Sequence, residues 1–202
     1  MEFELYQKDL PDSFDPGSIL AIDTETMGLT IHRDRLCLIQ MRNETGQIVM
    51  VQIHMGQSEA PNLTNMLSDP NVLKIFHFAR ADMAMLKFNL GVDVAPVYCT
   101  KIASRLCRTN TQSHGLKYLV EDLLGIELSK EKQVSDWGVE ELSQEQLEYA
   151  ASDVLYLHSL KEILDQRLKR DGRTHLAESC FEFLPTITAM DIEGWKGDIF
   201  AH

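Results

Sequence analysis

Apolar residues fall in short runs through the first half of the chain and at helical spacing through the second. After the turn-forming stretch PDSFDPGS (11–18), an apolar run beginning at Ile19 predicts a first strand over 19–25. LCLIQM (36–41) and QIVMVQI (47–53) predict two more strands, joined by the turn RNETG into an antiparallel meander. APNLTNMLSD carries helical spacing, VLKIF (72–76) reads as a short buried strand, and Arg80 to Asn89 forms a helix closed by Gly91. Extended VAPVYC leads into a helix through TKIASRLCR. SHGLKYLVEDLLG is a further helix, with Ser113 as a cap and Gly125 past its end. ELSKEKQVSDWG reads as a polar loop. From Ser143 to Lys169 the spacing predicts one long helix, with Leu147, Val154, Leu157, Ile163 and Leu164 among its apolar positions. A shorter helix follows Gly172, and the tail FLPTITAMDIEGWKGDIFAH is regular in neither sense. A meander followed by strands alternating with helices predicts an α/β domain around a mixed sheet.

Two acids break the first strand. Asp23 and Glu25 lie two apart, so both carboxylates share one face and repel each other unless a positive charge lies between them. Asp82 lies near the start of the helix after the buried strand 72–76, where ligand sites of open α/β sheets tend to lie. Tyr149 and Asp153, four apart, project from one face of the long helix, with Asp153 set among Ala150, Ala151, Val154 and Leu155. Taken singly, each has a plain explanation: a solvated strand end, an acid serving the helix dipole, a packing tyrosine, and a polar His77 satisfied after its strand. Taken in order, D-x-E, H-x-x-x-x-D and Y-x-x-x-D make a set of acids costly to bury without a counter-charge. Hard oxygen ligands of this kind suit Mg²⁺ or Mn²⁺.

Composition narrows the reading. The 202 residues, 44% hydrophobic and 25% charged, fit one ordinary globular core. The 19 basic against 31 acidic residues, a formal net charge of -12, argue against a basic track for long nucleic acid. They leave room for a short nucleic-acid ligand whose phosphate meets bound cations. Cys37, Cys99, Cys107 and Cys180 show no paired spacing and are expected to be reduced thiols of a cytoplasmic protein. MEFELYQKDL is expected to be no signal peptide, and no apolar run approaches membrane-spanning length.

The acids, with LAIDTETMGL, RLCLIQ, KIFHFARADMAML, HGLKYLVEDLLGIEL, SDW and LSQEQLEYAASDVLYL in that order, resemble the DEDD superfamily of 3′–5′ exonucleases. The tyrosine in the third motif matches its DEDDy variant and the ribonuclease D group. HRDRLCLIQ, TKIASRL and the ending GWKGDIFAH are most similar to its short form, the nanoRNase C group, which degrades very short RNAs. The match runs over roughly residues 19 to 165. It implies a ribonuclease-H-like fold with a meander at one side of the sheet and helices on both faces, residues 1–170 forming the exonuclease domain. It also implies that 171–202 supply a C-terminal helix and tail of the same domain.

What the resemblance implies for chemistry is a two-metal phosphodiester hydrolase using Mg²⁺ or Mn²⁺. Asp23 would bridge both ions, Glu25 and Asp153 would complete the site that generates the nucleophile, Asp82 would serve the other ion, and Tyr149 would orient the attacking water. Leu29 would wedge against the terminal bases, the backbone of Thr24 and Glu25 would meet the 3′ ribose, and His77 would contact substrate or orient an acid. Donors for a 5′ phosphate would come from Lys132 and Gln133 in the loop, or from Ser113 and His114 at a helix start. For each of these, packing or solvation is the competing reading, and for Leu29 that means a loop residue folded back on the core. Phe181, Phe183, Trp195, Ile199 and Phe200 either close the core or dock another subunit, and the resemblance favours a homo-oligomer. Two alternatives stay open: 3′-end trimming of longer RNA or single-stranded DNA, and a catalytically dead RNA-binding module.

Overall fold

Strand β2 (Ile19–Thr26) organises the molecule because its alternate residues face two separate cores. Leu20 and Ile22 pack among the side chains of α1 (Pro61–Ser68) and α2 (Ala79–Leu90), while Ala21 turns to the opposite face. That opposite face is covered by α5 (Gln144–Leu155) and α6 (Leu157–Arg170), with Leu147, Ala150, Val154, Leu157 and Leu160 buried against it. The computed structural model describes residues 1–127, 135–195, 197 and 199.

Six strands among the described residues form one mixed sheet in the order β1-β4-β3-β2-β5-β6. β3 (Leu36–Arg42) pairs antiparallel with both β2 and β4 (Ile48–Gln52), which is the meander expected from the alternation. β5 (Leu73–Phe76) and β6 (Val97–Cys99) extend it in parallel beyond β2. β1 (Glu4–Gln7), which the mixed acidic and apolar N-terminus did not predict, adds in parallel to β4. Its side chains stay largely outside the core, so periodicity carries no signal for it. α3 (Thr100–Cys107) and α4 (Leu116–Leu124) complete the helical layers with α7 (Thr174–Glu193).

Two expected boundaries move. The helix drawn from Ser143 to Lys169 is broken at Tyr156 (φ −108°, ψ 0°) into α5 and α6, with no Pro or Gly at the break. Here tertiary ties decide: His158 donates to the Ile19 carbonyl at 3.1 Å and accepts from Arg42, fixing α6 against the start of β2. The helix after Gly172 is twenty residues long and carries Pro185 inside it, so it absorbs most of the segment expected to be irregular. Burial of Leu184 and Thr188 and a bidentate Arg80–Asp191 ion pair at 2.6 Å hold its second half, and Gly194 (φ 83°) ends it. Tertiary packing outweighs the helix-breaking cost of one proline. Phe181 lies between both cores, its ring 4.7 Å from that of Tyr98.

Candidate active site

Asp23 and Glu25 emerge from β2 on its odd-numbered face, the face α5 covers, so Asp153 on α5 points at them. Ligand atoms of Asp23, Glu25 and Asp153 all lie within 4.8 Å of one another. Thr24 between the two strand acids faces the other way, toward α2, and its hydroxyl donates to the Asp82 carboxylate at 2.7 Å. The D-x-E spacing therefore works on both faces of the strand end: two acids meet α5, and the intervening threonine steers a fourth acid from α2. Asp82 stands outside the three-acid cluster yet close enough for its charge to be felt by Asp23 and Glu25.

Burial dominates the electrostatics. It pushes Asp23 well above the usual carboxylate range, with the charges of Asp82, Asp153 and Glu25 adding to the effect. Glu25 rises to about 9 through burial and then the neighbouring Asp153 and Asp82 charges. Asp82 and Asp153 each rise to about 7, again mainly through burial, and the Thr24 hydrogen bond at Asp82 and the nearby Tyr149 hydroxyl at Asp153 partly offset the rise. No Lys or Arg among the described residues offsets these acids. An all-oxygen donor set whose charged forms are disfavoured by burial and mutual repulsion is what a divalent cation stabilises most favourably, and the cluster fits one. Tyr149 keeps its proton through neutral pH because burial and the charges of Asp153 and Glu25 raise its pKa, and its hydroxyl lies near the Asp153 carboxylate.

Gln40 was read only as part of an apolar strand. It lies directly across from Asp23 in the β2–β3 ladder and donates to its carboxylate at 2.6 Å, while its own carbonyl oxygen is buried without a partner. The one amide in LCLIQM was a visible signal, but only the strand register reveals what it touches. Trp137, 2% exposed, lies with its ring 6.2 Å from that of Tyr149. The backbone beside it is held by Arg35, which donates to the Gly138 carbonyl at 2.9 Å, and by Gln146, which donates to that of Asp136.

The residues expected to bind substrate divide. Leu29 is 88% exposed at the tip of a loop held by Asp34, which accepts from the Thr30 amide and from Arg33. A Cβ at Gly28 would come within 2.4 Å of the Asp34 carboxylate, so any side chain there would displace the group that holds the loop. The reading in which Leu29 folds back on the core is excluded. His77 follows β5 and is held neutral, its pKa lowered to about 3 by burial and then by Lys101. Thr100 donates to the Phe76 carbonyl at 3.2 Å, so its oxygen accepts from His77 Nδ1–H at 2.9 Å and Nε2 keeps its lone pair.

Ser113 does not cap α4, whose N-cap is Gly115 without a side-chain bond; its carbonyl accepts from Arg108 instead. His114 is buried and bonded through Nδ1 to Ser104 Oγ at 2.9 Å, so its ring turns toward α3. Lys132 and Gln133 lie outside the described residues. A basic group the sequence reading passed over lies near His114: after burial itself, Arg108 at the end of α3 and Arg105 and Lys101 on it help to lower the pKa of His114.

Comparison with known proteins finds matches to both the sequence and the fold. A family model described as 3′–5′ exonuclease matches residues 8–169. Ribonuclease D of Gluconacetobacter diazotrophicus is 34% identical over 154 residues, which cover 76% of this chain and 39% of that protein. The chain thus spans about two-fifths of the length of that relative. The solved structure of Brucella melitensis NrnC with bound Mg²⁺ matches all of both chains at 52% identity and a TM-score of 0.95. That of Brucella melitensis NrnC bound to pGG matches 100% of this chain and 99% of the other, at 53% identity and a TM-score of 0.96.

Proposed function

Because this chain belongs to the 3′–5′ exonuclease family, in its ribonuclease D branch and of the NrnC type, we propose that it hydrolyses very short RNAs from the 3′ end. Dinucleotides are its preferred substrates, and nucleoside 5′-monophosphates are the products. The observation that carries the reading is the buried cluster of Asp23, Glu25 and Asp153 at the end of β2, with Asp82 beside it. The NrnC structure holding pGG supports the choice of a short substrate.

Asp23, Glu25 and Asp153 would hold divalent cations, Mg²⁺ or Mn²⁺, with Asp82 as a further oxygen ligand. Such cations, when bound, acidify water and neutralise charge on the phosphoryl oxygens. Water attacks the terminal phosphodiester in line with the departing 3′ oxygen, and the P–O3′ bond breaks. Tyr149 remains a phenol, donates to Asp153 and receives a hydrogen bond from the attacking water, which orients it. Gln40 holds the Asp23 carboxylate in place from the neighbouring strand. Leu29 meets the terminal bases, the backbone of Thr24 and Glu25 the 3′ ribose, and His77 Nε2 accepts from a substrate hydroxyl. Lys101 and Arg105 bring the positive charge for a substrate phosphate, in a protein otherwise acidic.

The same reading includes a homo-oligomer built through the C-terminal segment, where Trp195 is exposed beyond the end of α7. Deleting residues 190–202 is expected to change the mass in solution, and an unchanged mass would remove that element. Action in the cytoplasm is supported by Cys37, Cys99 and Cys107, all buried and unpaired. No helix among the described residues is long and apolar enough to cross a membrane.

The deciding measurement compares turnover of a 5′-labelled dinucleotide with that of a 20-mer. Faster turnover of the dinucleotide by at least about tenfold is expected, a difference of about 1.4 kcal/mol in transition-state stabilisation. Equal rates would favour 3′-end trimming of longer RNA.

A further inference from the structure

Phe78 occupies a backbone conformation that its side chain disfavours. It is the N-cap of α2 with φ 69° and ψ 43°, a left-handed position that glycine or asparagine adopts at far lower cost. Burial does not repay this strain, because the ring is 46% exposed and lies outside both hydrophobic cores. Strain held at a non-glycine residue points to a use for what that residue presents.

The placement of the ring says what it presents. Phe78 stands at the carboxyl end of β5, directly after His77 and one helical turn before Asp82. Lys101, the second residue of α3 at the carboxyl end of β6, sets its ammonium 3.8 Å from the ring centroid. The cation covers one face of the ring and holds its orientation. The rest of the ring is open to solvent at the carboxyl end of β5, the same end of the sheet at which Asp23 and Glu25 stand on the parallel strand β2. An aromatic face next to a phosphate-cleaving site accepts a nucleobase, since every base has a π-face and stacking is tolerant of sequence.

We propose that Phe78, backed by Lys101, is a stacking platform for a base of the substrate and thereby a determinant of its affinity. This rests on the exonuclease reading above. Lys101 contributes twice, by fixing the ring and by adding positive charge near the bound phosphate. Because a stack reads no base edges, the platform strengthens binding without selecting a sequence.

Steady-state hydrolysis of pGG, with thermal unfolding in parallel, tests this. Phe78→Gly is expected to raise KM about tenfold while kcat stays within about twofold. Its unfolding midpoint should hold or rise, since glycine relieves the strain. Phe78→Trp should restore KM and Phe78→Leu should not. Replacing one of the two bases with an abasic ribose should raise KM for the unsubstituted protein and add nothing in Phe78→Gly. An unchanged KM in Phe78→Gly, rescue by Leu equal to rescue by Trp, or a lowered midpoint that tracks the loss would each overturn the platform and leave the exonuclease reading standing. A protein that neither cleaves nor binds pGG in Mg²⁺ would overturn both.

Discussion

The same sheet buries charge in two places, and the two are handled in opposite ways. Lys74, on β5, is fully buried, and its ammonium donates to the carbonyls of Asp69 at 2.7 Å and Ala95 at 2.5 Å. Those carbonyls belong to the segments that lead into β5 and β6, so the lysine ties together the amino ends of two strands. At the carboxyl end, Asp23, Glu25, Asp82 and Asp153 gather with amide and hydroxyl donors but no cation of the protein's own among the described residues. The lysine's charge is met by the chain itself, and the acids' charge is left for something else to meet. A buried charge satisfied internally is architecture; an unsatisfied cluster of like charges is a site.

The largest effect should separate the two ends outright. Asp153→Ala is expected to lower kcat for a dinucleotide by roughly a thousandfold or more, and to leave thermal stability equal or higher, since one repelling acid is gone. Lys74→Met should do the reverse: near-normal kcat per folded molecule, with about 1–3 kcal/mol lost because two buried carbonyls lose their donor. A Lys74→Met protein that is stable but inactive would break the comparison.

Next in size is the response to metal. Mg²⁺ or Mn²⁺ at a hundred times its dissociation constant should stabilise the native protein by about 2.7 kcal/mol, and a chelator should reverse it. Differential scanning of Asp23→Asn should show almost none of that gain, whereas Lys74→Met should retain it. Gln40→Leu, which removes only the donor to Asp23, should weaken metal affinity about 10- to 100-fold and leave folding intact.

The smallest effect is in the pH dependence, and its sign differs between the two ends. Glu25 has a folded pKa near 9, and Asp82 and Asp153 near 7, all above their unfolded values, so the native state binds the extra protons. Their contribution is complete below the unfolded carboxylate range near pH 4 and is lost as pH rises through about 7 to 9. Metal-free protein should therefore lose stability across that window, and saturating Mg²⁺ should flatten the loss. Lys74 is lowered to about 8, chiefly by burial, so here the unfolded state binds the extra proton. Its contribution rises with pH from about 8 toward the unfolded lysine value near 10.5. Denaturant midpoints of native and Lys74→Met protein between pH 5 and 10, with and without Mg²⁺, should resolve the two slopes.

Much of this was legible along the chain. Strands β2 to β5 and helices α2 to α4 follow from alternation, helical spacing and the glycines at 91 and 125, because each obeys a local rule. The acids were legible too, since D-x-E at a strand end and a lone Asp in an apolar helix are costly wherever they lie. The break at Tyr156 and the passage of α7 through Pro185 were not, because packing against distant elements decides both. The partners of the acids were equally hidden. Thr24 bonding Asp82 and Gln40 bonding Asp23 join residues 58 and 17 positions apart, and only the sheet register and the α2 contact bring them together.

By itself, then, the sequence determined most of the strand and helix types, the family and the four carboxylates proposed as the centre, because backbone periodicity and the cost of burying like charge are properties of residues and their spacing. Tertiary structure alone decided which face of β2 each acid meets, and that Leu29 stands in solvent while His114 turns inward. It also decided that Phe78 is held in a left-handed conformation just after β5. Those outcomes depend on which elements pack together, and free energy of packing is shared among residues far apart in the chain.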